Sequence, residues 1–335
     1  MSRAPTLEDV ARQAGVSRAT ASRVVNADPR VGADAREAVQ AAIAALGYSP
    51  NLAARTLVTR RTESIAVVVP ESDAMVFTDP FFAGTLHGVN LALSGTRLQM
   101  VLVMGQPGEG VDGRMEQYLR GGHTDGAIVV SHHQGDQLWR VLEDTQLPCV
   151  FLGRPYSPDA AVPFVDVDNV AGAELATRHL IERGCTRIGT VTGSQDMSAG
   201  QDRLAGWRRA LAAAGLPDTA VAAADFTRDG GQAATRRLFA DHPDLDGLFV
   251  ASDQMAEEAL QVLAAAGRRV PEDVAVVGFD DLELARRTQP PLTTVVNPIS
   301  AMAERAVAML LDLLAGQPVE TPYILDPRLV VRGTA

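Results

Sequence analysis

The chain has 335 residues, 46% of them apolar and 21% charged, which fits a globular protein of more than one domain and excludes a disordered or fibrous one. All 30 basic residues are arginine, so a Walker phosphate loop, a Schiff-base lysine and a kinase-type lysine are excluded. The formal charge of -11 is divided: residues 1–61 sum to +4 and residues 62–335 to -15, so phosphate contact is expected at the N-terminal end.

The opening MSRAPTLEDV has no apolar signal core, and aliphatic runs such as Ile65 to Val69 are too short to span a bilayer. A cytoplasmic location without membrane contact is therefore expected. Cys149 and Cys185 are the only cysteines and match no metal or redox spacing.

Thr6 followed by Asp9 is a capping signal, and it predicts a first helix from about Leu7 with Leu7, Val10, Ala11 and Ala14 on one face. Gly15 supplies a sharp turn and Ser17 the next N-cap. A second helix, Arg18 to Asn26, carries Ala21, Val24 and Val25 inward and Arg18, Ala19, Ser22 and Arg23 outward. A short, polar, basic outer face suits a helix that enters the major groove, although a helical hairpin with a solvated basic face has the same local pattern. A third helix spans about Asp34 to Leu46 and stops at Gly47. The Ala-rich stretch Pro50 to Leu57 is too short to hold a helix unaided.

From Ile65 onward, short apolar strands alternate with amphipathic helices, which predicts parallel sheets covered on both faces. Strands are expected at Ile65–Val69, Leu98–Met104, Ala127–Val130, Cys149–Leu152, Phe164–Val167, Arg187–Val191, Gly247–Val250 and Val274–Val277. Helices are expected at Asn169–Arg183 and Gly200–Ala214.

The string from Thr6 to Asn26, TLEDVARQAGVSRATASRVVN, followed by Leu46-Gly-Tyr-Ser-Pro-Asn51 and Ala54-Arg-Thr-Leu57, resembles the lactose-repressor (LacI/GalR) family of bacterial transcription regulators. The resemblance extends over nearly the whole chain. It implies an α/β protein: an N-terminal all-α helix-turn-helix domain plus two Rossmann-like α/β subdomains of periplasmic-binding-protein type. The implied boundaries are 1–49 for the helix-turn-helix, 50–61 for a hinge helix and linker, and 62–335 for a ligand-binding domain. Within the last, the N-subdomain would take about 62–162 and 293–322, and the C-subdomain about 163–292 and 323–335, with crossovers near Pro163, Leu292 and Tyr323.

By the same resemblance Arg18, Ala19 and Arg23 would face base edges, while Thr6, Ser17, Thr20, Ser22, Asn26 and Asn51 would hold phosphates. Leu57 would be pushed between central base steps from a hinge helix paired with its twofold mate. The ligand pocket would lie between the lobes and use Phe81, Phe82, Arg203, Phe226, Asp253 and Asp280, a set that suits a sugar. Gln195 to Gly200 and Leu57 to Thr62 are similar to the actinobacterial cellulose-utilisation repressors of the family, which implies a cello-oligosaccharide or β-glucoside effector. The expected partners are palindromic operator DNA, that small effector and a second copy of the chain. No cofactor, metal or enzymatic activity is expected, and a periplasmic-type sugar-binding protein without regulatory role is the alternative.

Two local motifs lead elsewhere. Gly108 to Gly113 spells G-x-G-x-x-G, but Gln106 and Pro107 part it from the preceding strand and Glu109 would face a pyrophosphate, so a dinucleotide site is not expected. His123, His132, His133 and Asp125 have no metal-ligand spacing.

Overall fold

A computed structural model describes residues 5–26, 28–49, 61–105, 113–135, 138–156 and 162–335. The chain divides into two compact units, Met1–Thr62 and Glu63–Ala335. The expected hinge helix, with Asn51 and Leu57, lies outside the described residues, as does most of the Gly108–Gly113 loop.

The first unit has helices α1 (Leu7–Gln13), α2 (Arg18–Val25) and α3 (Ala33–Leu46). Thr6 and Asp9 form a reciprocal cap: the Asp9 N–H donates to Thr6 Oγ1, and the Thr6 N–H donates to Asp9 Oδ2 at 2.9 Å. Ser17 Oγ accepts from the Thr20 N–H at 3.1 Å and starts α2. Gly15 and Gly47, at φ +67° and +61°, make the left-handed turns that end α1 and α3. Val10, Ala11, Ala21, Val39 and Ala42 form the core, with Leu7, Val24, Ile43 and Leu46 packed around them.

The second unit holds two six-stranded sheets. In chain order the strands are β1 (Ser64–Val69), β2 (Gln99–Met104), β3 (Gly126–Val130), β4 (Cys149–Leu152), β5 (Phe164–Val167), β6 (Ile188–Thr192), β7 (Val221–Ala223), β8 (Gly247–Val250), β9 (Ala275–Asp280), β10 (Thr293–Val296), β11 (Tyr323–Leu325) and β12 (Arg328–Val330). The first sheet runs β11-β5-β4-β3-β1-β2 and the second β12-β10-β9-β8-β6-β7. Among the described residues every pairing is parallel except β10 with β12. The central strands β1, β3, β6 and β9 are buried along their whole length, which is why they read as apolar runs rather than as alternating patterns.

Helices α4 (Asp73–Thr78), α5 (Pro80–Leu93), α6 (Arg114–Arg120), α7 (Leu138–Thr145) and α12 (Ile299–Leu314) belong to the first lobe, and α8 (Asn169–Glu182), α9 (Ser198–Ala214), α10 (Arg228–Asp241) and α11 (Asp253–Ala265) to the second. α8 and α9 pack against each other at Gly206, where a Cβ would stand 2.2 Å from the Val170 carbonyl oxygen. Beside it Trp207 and Leu211 are fully buried, each contributing about 1.5–3 kcal/mol relative to exposure.

The crossovers fall one strand later than the sequence implies. β5 pairs with β4 and β11, so it belongs to the first sheet and the chain leaves that lobe after Val167 rather than near Pro163. β10 pairs with β9 in the second sheet, so the return follows Val296 rather than Leu292. β11 lies in the first sheet, and the third crossover separates Leu325 from Arg328 rather than falling near Tyr323. The physical reason is that a strand's apolar run marks it as buried without marking which sheet buries it.

Candidate functional site

On the first unit the α2 residues proposed to meet bases are outward: Arg18, Ala19 and Arg23 are exposed, while Ala21 is fully buried beneath them. Arg18 Nε donates to Glu8 Oε1 at 2.7 Å between two exposed side chains. A surface pair of this kind is worth about 0–1 kcal/mol, too little to withhold Arg18 from a base or phosphate. Thr6 and Ser17, assigned to phosphates, also carry the caps described above. Asn26 caps the C-terminal end of α2, and its Nδ2 donates to Ser22 Oγ at 3.5 Å.

In the second unit each sheet turns in opposite directions from one strand. β2 and β3 flank β1, and β7 and β8 flank β6, so each lobe has a topological switch point, where open parallel sheets bind ligands beyond their strand ends. The cleft lies there. It holds about 820 Å³ of empty space, solvent at its mouth included, within the size range of small-molecule sites.

Phe81, Phe82, Arg203, Phe226 and Asp280 all line this cleft. Phe81 and Phe82 meet edge to face at 5.3 Å at the start of α5. Phe226 stands at φ +67°, a strained conformation for an aromatic residue, and its ring lies where a Cβ on Gly193 would be, 1.9 Å from it. Only glycine at 193 leaves room for that ring.

Arg203 is 5% exposed. Its Nε donates to Asn169 Oδ1 at 2.9 Å, its Nη1 to the Ala251 carbonyl at 2.5 Å, and its Nη2 lies 3.4 Å from Asp280 Oδ1. The guanidinium rests 3.7 Å from the centre of the Phe279 ring. Asp280 adopts φ +118° at the end of β9 and accepts from Asn297 Nδ2 at 3.2 Å. Burial raises the Asp280 carboxyl above its ordinary range, and the Arg203 guanidinium pulls it back.

Asp253 is a correction. It is fully buried and absent from the cleft lining, because its carboxyl is taken up inside the protein. Oδ1 accepts from Thr294 Oγ1 at 2.5 Å, and Oδ2 from the Leu282 N–H at 2.8 Å. Burial and the neighbouring Asp280 push Asp253 well above the usual carboxylate range. Its neighbours Ser252 and Gln254 reach the cleft instead.

Sequence reasoning also missed Asp79, Asp166, Asn169 and Asn297 and considered His132 only for metal binding, and all five line the cleft. Asp79 caps α5, accepting from the Phe81 N–H at 2.9 Å, and its other oxygen accepts from Gln254 Nε2 of the opposite lobe at 3.1 Å. Asp166 accepts from the Arg154 N–H at 2.9 Å and from Asn169 Nδ2 at 3.1 Å. Burial pushes both carboxyls up to about 6. His132, Asp166, Asn169 and Asn297 lie near the C-terminal end of a strand or just after it, so the rule that places ligands beyond strand ends is the signal that would have found them, whereas Asp79 lies between α4 and α5 and its only local signal is Asp-Pro at a helix start.

The lobes also meet beside the cleft. Arg154 of the first lobe makes a bidentate pair with Asp202 of α9, the closest contact at 2.8 Å, and His133 lies 2.8 Å from Glu71 and 2.9 Å from Asp196. The hydrogen bond to Glu71 holds His133 protonated up to about 9. Among the described residues no cluster of three or more metal-ligating side chains occurs, and no helix is long and apolar enough to cross a membrane.

Comparison with known proteins supplies the remaining findings. Residues 6–51 match the family described as bacterial regulatory proteins, lacI family, and residues 177–335 match a periplasmic binding protein-like domain. The HTH-type transcriptional regulator CelR of Thermobifida fusca is 47% identical over 334 residues, 98% of each chain. A solved transcriptional regulator CelR-cellobiose complex is 44% identical with a TM-score of 0.79, covering 99% of this chain and 100% of that one. The lac repressor dimer bound to operator and the anti-inducer ONPF is 28% identical with a TM-score of 0.88 over 99% of each chain.

Proposed function

This chain belongs to the lacI family of bacterial regulatory proteins, and from that premise we propose that it is a cytoplasmic, homodimeric repressor whose hold on a palindromic operator is set by a neutral β-glucoside, cellobiose or a short cello-oligosaccharide. Members of the family regulate transcription and are not enzymes. A sugar-binding protein without regulatory role leaves residues 6–51 unaccounted for.

The observation that carries the effector class is the charge balance of the cleft. Among the described residues that line it are three carboxyls, Asp79, Asp166 and Asp280, and one guanidinium, Arg203, whose hydrogen bonds are largely spent inside the protein. That balance repels phosphorylated and carboxylated sugars. Carboxyl groups accept from paired hydroxyls, and the Phe81 and Phe226 rings offer apolar faces to the C–H side of a pyranose. The CelR likeness supports a glucoside within that class.

A thermal-shift series with cellobiose, cellotriose, glucose and glucose 6-phosphate tests this. Cellobiose at a hundred times its Kd adds about 2.7 kcal/mol of apparent stability. A shift with glucose 6-phosphate and none with cellobiose would overturn the assignment.

Coupling to DNA runs through lobe closure, which changes the spacing of the two hinge segments in the dimer, with release of the operator on sugar binding. In this reading Arg18, Ala19 and Arg23 read bases, Thr6, Ser17, Thr20, Ser22, Asn26 and Asn51 hold phosphates, and Leu57 wedges the central step. Leu57→Ala then lowers the operator bend angle, and an unchanged bend removes the wedge.

A further inference from the structure

We propose that His132 is a specificity-determining residue of the cleft, whose Nδ1–H donates to an oxygen of the bound sugar. The proposal rests on the reading of this cleft as the effector site.

His132 sits just past β3, lines the cleft and is 8% exposed. Its Nε2 accepts from the Tyr156 N–H at 3.1 Å, so in the neutral ring the proton is on Nδ1. The ring is held edge-on against Phe151 at 5.1 Å. Burial pushes the imidazole down to about 4, which keeps it neutral under ordinary conditions. Nδ1 is buried and has no hydrogen-bond partner among the described residues.

A buried donor left unpaired is destabilising, and a bound group that brings an acceptor removes that cost. The adjacent His133 makes the contrast, since both of its ring nitrogens face carboxylates. Among the described residues of the cleft one further buried side-chain atom is unpaired, Asn297 Oδ1, which is an acceptor. The pair therefore asks for one oxygen that accepts and one hydroxyl that donates. A sugar ring carries both, whereas a carboxylate or phosphate dianion answers only His132.

The experiment titrates full-length wild-type protein and His132→Phe with cellobiose by calorimetry, with melting temperature followed in parallel. The expected result is at least a tenfold weaker Kd for the variant with a melting temperature within a few degrees of wild type. An equal Kd overturns the proposal. Because the substitution also deprives the Tyr156 N–H of its acceptor, imidazole nitrogen resonances of the wild type give a second reading. They should show Nδ1 protonated before cellobiose is added and its signal shifted after. A proton on Nε2, or a signal indifferent to saturating cellobiose, overturns the proposal whatever the variant does. If the wild type binds no cellobiose, the effector reading itself falls, an outcome distinct from binding that ignores His132.

Discussion

The two units handle arginine in opposite ways. Arg18 and Arg23 of α2 stand in solvent over a core of small and medium side chains, whereas Arg203 is 5% exposed and tied to Asn169, Ala251 and Asp280. A surface guanidinium is available to a large polyanion and leaves the fold indifferent to its loss. A buried one compensates charges that could not otherwise be there, so its recognition role and its structural role are inseparable.

Substitutions in both places test that contrast. Arg203→Ala leaves Asp280 and its neighbours uncompensated and should lower stability by about 3–5 kcal/mol in urea denaturation, with sugar binding abolished. Retention of wild-type stability would mean that the cleft charges are not coupled as the geometry indicates. Arg23→Ala should leave the denaturation midpoint unchanged but relax base preference at one operator position by about 1–3 kcal/mol, read by fluorescence anisotropy on single-base operator variants. An equal loss on every sequence would demote Arg23 to a phosphate contact.

Titration sharpens the comparison next. Asp79 binds its proton more tightly folded than unfolded, with a folded value of about 6, so this contribution to stability is present at low pH and declines as pH rises from about 4 to 6. His132, lowered to about 4, acts oppositely: its contribution is present above the ordinary imidazole value and is lost as pH falls toward 4. Asp79→Asn should therefore gain on the wild type between pH 4.5 and 6.5, as urea midpoints at the two values will show. No relative gain would mean that Asp79 is not desolvated. The smallest effect belongs to the first unit, where Thr6→Ala removes a cap and should cost about 1 kcal/mol, seen as a lower melting temperature of that unit.

Legibility followed the same divide. In the first unit the signals are local: Thr6 with Asp9, Gly15, Ser17 and Gly47 each act within four residues, and each stands where the pattern puts it. In the second unit the strands were visible as apolar runs, but their assignment to a sheet depends on partners far along the chain, as β5, β10 and β11 show. Arg203, Asp280 and the three phenylalanines were named through resemblance and meet at one cleft. Asp253 was named in the same way and does not reach it. An aspartate after a strand can point into a pocket or satisfy the loop beneath it, and the choice is made by Thr294 and Leu282, more than 25 positions away.

The late crossovers bear on how the molecule is made. Sheet one is drawn from residues 64–167 and 323–325, and sheet two from 188–296 and 328–330, so neither has its last edge strand until synthesis has passed residue 322. A ribosome that has passed residue 62 has synthesised everything the DNA-reading core requires. For the rest of synthesis the sensor is two incomplete sheets with open β5 and β10 edges, the kind of surface that pairs with other chains. Both edges are covered within eight residues, by β11 and β12, and truncated chains ending on either side of that stretch, released from the ribosome and probed by protease, should pass from sensitive to resistant in a single step.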